Sequence, residues 1–324
     1  MTVFELVCTI LLAAIPAATS LLYVALGELI YERSGVLNLG LEGTMLVGAV
    51  TAVYGQTVSS SPVFAVLLAA AAAAGAGVLH AILCVWLRTN QVVTGLAFVV
   101  LLTGATAFWG QSLVGQRVDV DLRISQTFPG GFSAIAGTPF DQDLLTYLAV
   151  VLTIVSWWWL FRSVSGAKLR AAGDSADVAR ALGINIRITR VVAGAIGGAL
   201  AGAGGAHLSL VYASQWQENM TAGRGWIALV LVIFARWHPG ALLPSAYVFG
   251  ALGILQLNLQ AFGVESSSYL ISMVPFALAI AVLSATSAVI RNRPSSMPAD
   301  LGVPISWHVT AAPRVRHPVM TLET

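Results

Sequence analysis

Charged residues are scarce in this 324-residue sequence: they make up 9% of it, and Lys168 is the single lysine. Soluble domains carry about 25% charged residues, so the composition excludes an ordinary soluble domain. Cysteine is scarce as well, and Cys8 and Cys84 both fall inside apolar runs. They indicate small core residues and say little about the redox compartment.

Signatures of catalysis and of nucleotide binding are also missing. The phosphate-binding pattern GxxxxGK[ST] needs a lysine, and the surroundings of Lys168, SGAKLR, do not fit it. No histidine or cysteine cluster has the spacing of a metal site, and no nucleophile elbow or pair of acids is present. His80 and His207 stand alone in apolar segments, where a packing role is favoured. We therefore expect neither an enzyme nor a metal-binding protein.

Long apolar runs take the place of these features. Hydrophobic residues make up 57% of the chain, and its mean hydropathy is +0.84. The runs reach about 20 residues, enough for a helix to cross a bilayer, and they are continuous rather than alternating, which favours helices over a barrel. The sequence predicts an all-α, polytopic integral membrane protein over residues 1–290 with about nine (eight to ten) transmembrane helices. The predicted spans are 3–27, 35–57, 62–87, 90–113, 144–161, 189–212, 223–237, 240–262 and 268–290.

Charge is distributed unevenly between the two sides of these spans. Most arginines, with Lys168, fall on the side of the loop 162–188, whereas the loop 114–143 is richer in acidic residues. Basic loops stay in the cytoplasm, so the N-terminus and the loop 114–143 are expected outside. The tail 291–324 is rich in proline, serine and arginine and is expected to be cytoplasmic and disordered. The pattern leaves open whether 35–57 crosses the membrane or re-enters it.

The span 144–161 separates two groups of four spans that run in opposite orientations, which predicts an inverted repeat. The repeat pairs 35–57 with 223–237, and each begins with glycine-rich polar sequence, SGVLNLGLEG and NMTAGRGWIAL respectively. The sixth span also carries glycines at four-residue spacing, a pattern of close helix packing: Gly194, Gly198 and Gly202.

Polar residues crowd into one short stretch between apolar segments, GELIYERSGVLNLGLEGTMLVGA. A helix broken at SGVLNLG exposes backbone groups that lipid cannot satisfy, so this stretch must line protein or water. Asn38 and Glu42 are four residues apart and are expected to project from one face, where both side chains can accept hydrogen bonds and Asn38 can also donate them. Glu28, Glu32 and Arg33 are expected at the cytoplasmic interface, as topology and ion-pair residues.

The loop FRSVSGAKLRAAGDSADVARALGINIRITR is longer than a connection between two spans requires. Asp174 is expected to cap a short helix that Gly183 ends. A small-residue helix flanked by turns indicates a segment that docks into a groove of a partner. The small residues at its centre are Ala171, Ala172, Gly173, Ala176 and Ala179.

Three separated stretches resemble a known family. RAAGDSADVARALGIN resembles the coupling loop of the permease subunits of bacterial ABC importers. ALGELIYERSGVLNLGLEGTMLVGA and GGALAGAGGAHLSLVYASQWQENMTAGRGWIALVLVIFARWHP resemble the nucleoside-type branch of the branched-chain amino acid and ribose permease superfamily. The resemblance covers about residues 20–290, with the three stretches in the expected order.

This resemblance implies a multi-pass permease subunit in the bacterial plasma membrane that forms the path for nucleosides. A sugar or a branched-chain amino acid is the alternative solute. The implied partners are two ATPase subunits that bind ATP and Mg²⁺, a second and different permease chain, and an extracytoplasmic solute-binding protein. It implies no cofactor in this chain and no nucleic acid partner. A secondary transporter or channel is the rival from another class. It requires ion-coupling carboxylates deep in several helices, whereas most acids here sit near predicted span ends and Glu42 is the main candidate for an exception.

The resemblance also assigns residues to these tasks. The coupling element includes Ala171, Ala172, Gly173 and Gly183. The broken helix that lines the path carries Asn38, Gly40, Glu42 and Gly43, and its counterpart in the second half carries Thr221, Gly223, Arg224 and Gly225.

Overall fold

A computed structural model of the chain describes residues 3–118, 120–127, 138, 140–261, 273, 277, 280–281 and 297–304. Helices dominate these residues; no strand forms among them, and extended pairing there is limited to three isolated bridges. A π-helical turn covers His207–Tyr212. The helices are α1 (Val3–Arg33), α2 (Leu41–Ser59), α3 (Pro62–Val85), α4 (Gln91–Gly110), α5 (Ile124–Thr127), α6 (Leu144–Arg162), α7 (Val164–Asp174), α8 (Ala176–Ala181), α9 (Ile186–Ala206), α10 (Arg224–Phe234) and α11 (Pro239–Ala261).

The predicted all-α, polytopic membrane fold is confirmed. Among the described residues, five helices, α1, α3, α4, α6 and α9, are long and apolar enough to cross a membrane. The predicted spans 35–57, 223–237 and 240–262 correspond to α2, α10 and α11. With its 11 residues, α10 is about 16 Å long, roughly half of the hydrocarbon thickness. The ninth predicted span, 268–290, lies outside the continuously described residues.

Helix α1 lies at the centre of the bundle, with Tyr23 to Leu26 fully buried. Small residues let α9 approach both α1 and α3. A Cβ atom at Gly27 of α1 would lie 2.5 Å from the Gly197 carbonyl oxygen of α9, and one at Gly194 of α9 would lie 2.8 Å from the Gly77 carbonyl oxygen of α3. The predicted glycine face of α9 therefore packs backbone against backbone, as small residues allow in membranes.

Two short helices, α7 and α8, form the predicted coupling loop after α6. Ser163 caps α7 by accepting a hydrogen bond from Gly166 N–H, and Ser175 caps α8 by accepting one from Val178 N–H. The prediction that Asp174 caps a helix is wrong, because Asp174 is the last residue of α7 and Ser175 supplies the cap. Gly183, with φ +78°, follows the end of α8 as predicted.

The predicted orientation can be tested at two exposed positions, Gln126 in the short helix α5 and Leu182 after α8. In a background with Cys8 and Cys84 replaced by alanine, we expect Gln126→Cys to react with an impermeant maleimide in intact cells. Leu182→Cys should react only after permeabilisation, because the basic loop faces the cytoplasm. Labelling in the reverse pattern would invert the orientation.

Candidate functional site

The chain is broken between α1 and α2 at Ser34–Gly40, deep in the protein. Glu28 accepts hydrogen bonds from the Asn38 backbone N–H (3.2 Å) and from Asn38 Nδ2 (3.3 Å). Asn38 Oδ1 accepts one from Gly40 N–H (3.0 Å), and Gln91 Oε1 accepts one from Leu37 N–H (2.7 Å). Side chains thus satisfy the amides that the helix break leaves open, as a break at membrane depth requires.

Two expectations for this stretch are wrong. Asn38 and Glu42 do not share a helix face, because α2 begins only at Leu41 and Asn38 lies in the break. Glu28 does not lie at an interface as an ion-pair residue; its side chain is fully buried and bound to Asn38.

Glu42 joins the two halves of the chain. Its Oε1 accepts hydrogen bonds from the Thr221 hydroxyl (2.5 Å) and from Gly223 N–H (2.8 Å). Its Oε2 accepts one from Gly225 N–H (2.6 Å), and the residue is only 5% exposed. These donors belong to the first turn of α10 and the residues before it, where open N–H groups and the helix dipole both favour an anion. The carboxylate therefore caps α10 from another helix.

A glycine is needed at this contact. A Cβ atom at Gly225 would lie 2.6 Å from Glu42 Cα and 2.7 Å from Glu42 Oε2, so any larger residue would push α10 away from α2. The structure thus brings together four residues that the sequence had placed in two separate motifs: Glu42, Thr221, Gly223 and Gly225.

The other end of α10 is held by the residues that precede the break. Arg33 donates two hydrogen bonds to the Trp237 carbonyl oxygen, from Nε (3.0 Å) and from Nη2 (2.8 Å). Trp237 Nε1 donates to Glu32 Oε2 (2.5 Å). Glu32 and Arg33 are buried, and neither belongs to an ion pair of the described residues. The ion-pair role predicted for them is therefore wrong.

The break also rests directly on α7. Gly35 has φ +90°, and its neighbour across the contact is Gly173, where a Cβ atom would overlap the Arg33 carbonyl oxygen. Arg190 of α9 donates to the carbonyl oxygens of Ser34 (3.0 Å) and Ala172 (3.4 Å). The backbone of the break, the backbone of α7 and the buried guanidinium of Arg190 therefore pack together in one contact.

The small residues of the coupling loop face inward. Ala172 and Ala179 are fully buried within this chain, and Ala171 packs against the main core while half-buried. The small size of Ala172 and Ala179 therefore serves packing against the chain's own helices, and docking of the loop itself into a partner's groove stays a prediction. The loop presents Val178 (60% exposed) and Leu182 (72% exposed) outward instead.

The remaining predicted positions lie near the site without joining it. Gly43 packs against α4, where a Cβ atom would lie 2.8 Å from Leu102 Cβ. The Arg224 guanidinium carbon lies 5.0 Å from the centre of the Tyr212 ring. Gly183 is exposed, with open space around its Cα.

His207 is fully buried, as the predicted packing role requires, and it also has an acidic neighbour. His207 Nε2 lies 3.4 Å from Asp143 Oδ2, and Asp143 caps α6 by accepting hydrogen bonds from the Thr146 N–H and hydroxyl. Burial raises the pKa of the Asp143 carboxyl, but His207 and Thr146 outweigh burial, so the pKa lies below its ordinary value. His80 fits the predicted packing role, since its Nδ1 lies 3.1 Å from the Tyr31 hydroxyl.

Sequence reasoning missed Trp237 and Arg190, which carry the contacts around the end of α1 and the break. An arginine in the first turns of a glycine-rich apolar helix was the available signal for Arg190, because a charge there needs partners. Trp237 stood at the end of a predicted span, where interfacial tryptophan is common, so nothing marked it as a partner of α1.

An open cavity of about 330 Å³ lies on the C-terminal half of α2. Two aromatic rings and two hydroxyl groups line it together with aliphatic side chains. The lining residues are Val50, Thr51, Tyr54, Trp109 and Leu113.

Comparisons with known proteins agree with this architecture. Residues 10–283 match the family model described as "Branched-chain amino acid transport system / permease component". A putative glucose ABC transporter permease protein of Haloferax volcanii is 42% identical over 76% of this chain and 77% of its own length. A guanosine ABC transporter permease protein of Bacillus subtilis is 32% identical over 88% of this chain and 93% of its own. A nucleoside ABC transporter permease protein of Lactococcus lactis is 29% identical over 82% and 88%. No solved structure matches the chain.

Proposed function

This chain belongs to the branched-chain amino acid transport system permease family, so it is a multi-pass permease subunit of an ABC transporter. On that premise we propose that it forms the translocation path of an importer for nucleosides in the bacterial plasma membrane. The resemblance seen in the sequence is confirmed at the level of the family, and the solute is the proposal.

The observation that carries the proposed path is the contact between Glu42 and the start of α10. It joins two interrupted segments, one from each half of the chain, inside the bundle. Interrupted backbone at membrane depth is tolerated where it is buried in protein or lines a cavity, and transporters build their central sites from such segments. Asn38 and Glu42 are occupied by partners within the chain, so we propose that they hold the walls of the path and do not bind solute themselves.

The cytoplasmic end supports coupling to ATP hydrolysis in separate subunits. The Arg33 side chain binds the carbonyl oxygen of Trp237 at the end of α10. The backbone of Arg33 and Gly35 packs on Gly173 of α7. A displacement of α7 therefore reaches α10 through direct contacts. We propose that the exposed Val178 and Leu182 contact the ATPase subunits. ATP and Mg²⁺ bind to those subunits, and this chain itself holds no cofactor. The remaining proposed partners are a second, different permease chain and an extracytoplasmic binding protein.

Two observations favour nucleosides as the solute. Two relatives that cover most of this chain are named for guanosine and for nucleosides. The cavity on α2 carries Tyr54 and Trp109, and aromatic rings offer flat faces on which a base can stack. Glucose is the second candidate, because a relative at 42% identity is named for it. A secondary transporter is disfavoured, since the carboxylate of Glu42 is bound by three donors of its own chain.

Deleting the gene in its host and measuring uptake of labelled guanosine and labelled glucose tests the solute. We expect guanosine uptake at low external concentration to fall to background and to return with the wild-type gene, while glucose uptake stays unchanged. Unlabelled adenosine should compete, since a nucleoside site reads a shared ribose and a stacking face. Loss of glucose uptake with guanosine uptake intact would replace the nucleoside assignment by the sugar.

A further inference from the structure

A short segment beyond the family match, residues 297–304, is packed on the coupling loop. We call it the clasp. The Asp300 backbone N–H donates to the Gly173 carbonyl oxygen (2.9 Å), and Asp300 Oδ2 accepts a hydrogen bond from Ala176 N–H (2.8 Å). The predicted disorder of the tail 291–324 therefore does not hold for the clasp.

Asp300 binds both sides of the junction between α7 and α8. Gly173 lies in the last turn of α7 and Ala176 is the first residue of α8, and helix ends of this kind leave carbonyl oxygens and N–H groups without helical partners. One residue of the clasp satisfies one group on each helix. The angle between the two helices is thereby tied to the position of Asp300.

Further contacts fix the clasp itself. Turns hold it together, with the Leu301 N–H bound to the Pro298 carbonyl oxygen (3.2 Å) and the Val303 N–H bound to that of Asp300 (3.1 Å). Leu301 packs against the main core. The Asp300 carboxylate also interacts electrostatically with Arg190, the residue that binds Ser34 and Ala172.

We infer that the clasp is part of the coupling element and that Asp300 is a positioning residue, which sets the orientation of α8 toward the ATPase. This inference rests on the proposed function. The junction lies between two fixed points, because Gly173 contacts the Arg33 backbone on one side and Asp300 on the other. With the clasp in place, a push on Val178 or Leu182 is transmitted to the break; without it, the junction can bend instead.

An inhibitory cover is the competing role for such a segment, and the geometry speaks against it. The clasp binds the inner amide and carbonyl groups of the junction, while Val178 and Leu182 stay 60% and 72% exposed. A cover would hide those two side chains from the ATPase.

The test compares a chain that ends after residue 304 with one that ends after residue 296, each in the full transporter. We expect the longer chain to transport like the full chain, and the shorter one to hydrolyse ATP with much less solute moved per ATP. Asp300→Ala should lower this ratio as well, and Asp300→Asn should restore most of it because the amide oxygen still accepts from Ala176 N–H. A merely structural role would lower the yield of complex and leave the ratio of solute to ATP unchanged.

Amide hydrogen exchange of the purified permease provides a readout that does not depend on transport. Exchange at Ala176 should be about tenfold faster in Asp300→Ala than in wild type, because a charge-assisted hydrogen bond is lost. Equal exchange and equal ratios in the two shortened chains would overturn the inference, and so would increased uptake by the shorter one. If Ala176 exchange depends on Asp300 while the intact transporter shows no ATP-driven uptake, the proposed function fails and the clasp contact stands.

Discussion

Replacing Gly173 with tryptophan is expected to abolish solute uptake while the chain still inserts into the membrane. Gly173 lies between the Arg33 carbonyl oxygen, the backbone of Gly35 and the clasp, so that even a Cβ atom would overlap backbone. Backbone cannot move aside as a flexible side chain can, and overpacking commonly costs about 1–3 kcal/mol or more. The indole must therefore lift α7 away from the break, and ATP hydrolysis by the assembled transporter should continue without uptake.

Gly75→Trp provides the matched control. Gly75 is an exposed position on α3 with no atom within 4 Å of a Cβ placed there, so a side chain can leave the backbone there without overlap. We expect wild-type uptake and insertion for Gly75→Trp, and for Gly173→Ala a partial loss. Uptake by Gly173→Trp equal to that of Gly75→Trp would remove Gly173 from the coupling contact.

Hydropathy predicted the helices well because lipid imposes a simple rule on length and composition. It placed the end of α1 too early. Glu28, Glu32 and Arg33 counted as interfacial residues, yet α1 continues through all three, since Asn38 and Trp237 satisfy them inside the protein. Such partners lie distant in sequence and leave no trace in local composition.

In the candidate site, too, local sequence marked the residues but not the contacts between distant parts of the chain. The glycine-rich polar sequence before each interrupted helix singled out both Glu42 and Gly225, but the hydrogen bond between them exists only in the folded chain. In the coupling loop the sequence indicated a helix of small residues, but it did not indicate that Ala172 and Ala179 face the interior of the chain. A buried alanine or glycine serves intramolecular packing and partner docking equally well, and only the observed burial of Ala172 and Ala179 decides between the two.

Glu42 is the position where the largest loss of stability is expected. In Glu42→Ala, the Gly223 and Gly225 N–H groups and the Thr221 hydroxyl lose their acceptor at a buried site. Hydrogen bonds to charged groups contribute about 1.5–3 kcal/mol each, and unsatisfied buried donors cost a similar amount. We expect the free energy of unfolding to fall by about 3 kcal/mol or more, and uptake to be lost. Thermal unfolding of the purified permease in detergent and uptake in cells measure the two effects.

Glu42→Gln separates the proposed clamp from a direct contact with solute. Glutamine keeps the size of the side chain but has one oxygen, so its amide nitrogen would face one of the backbone N–H donors, at Gly223 or Gly225. The neutral amide also loses the attraction between a carboxylate and the start of α10. A clamp therefore predicts that Glu42→Gln loses both stability and uptake, whereas a group that only offers a hydrogen bond to solute would keep much of the uptake.

Thr221→Val supplies the control for this comparison, because it removes one donor and leaves both backbone donors on the carboxylate. We expect a modest loss of stability, about 1 kcal/mol, with uptake largely retained. The double variant Glu42→Ala/Thr221→Val should be no less stable than Glu42→Ala alone, because both substitutions remove the same hydrogen bond and their effects on stability do not add.

Wild-type uptake and stability in Glu42→Gln would mean that the carboxylate does not hold α10. The contact across the two halves would then follow from their packing, with Gly225 against the α2 backbone as its main determinant.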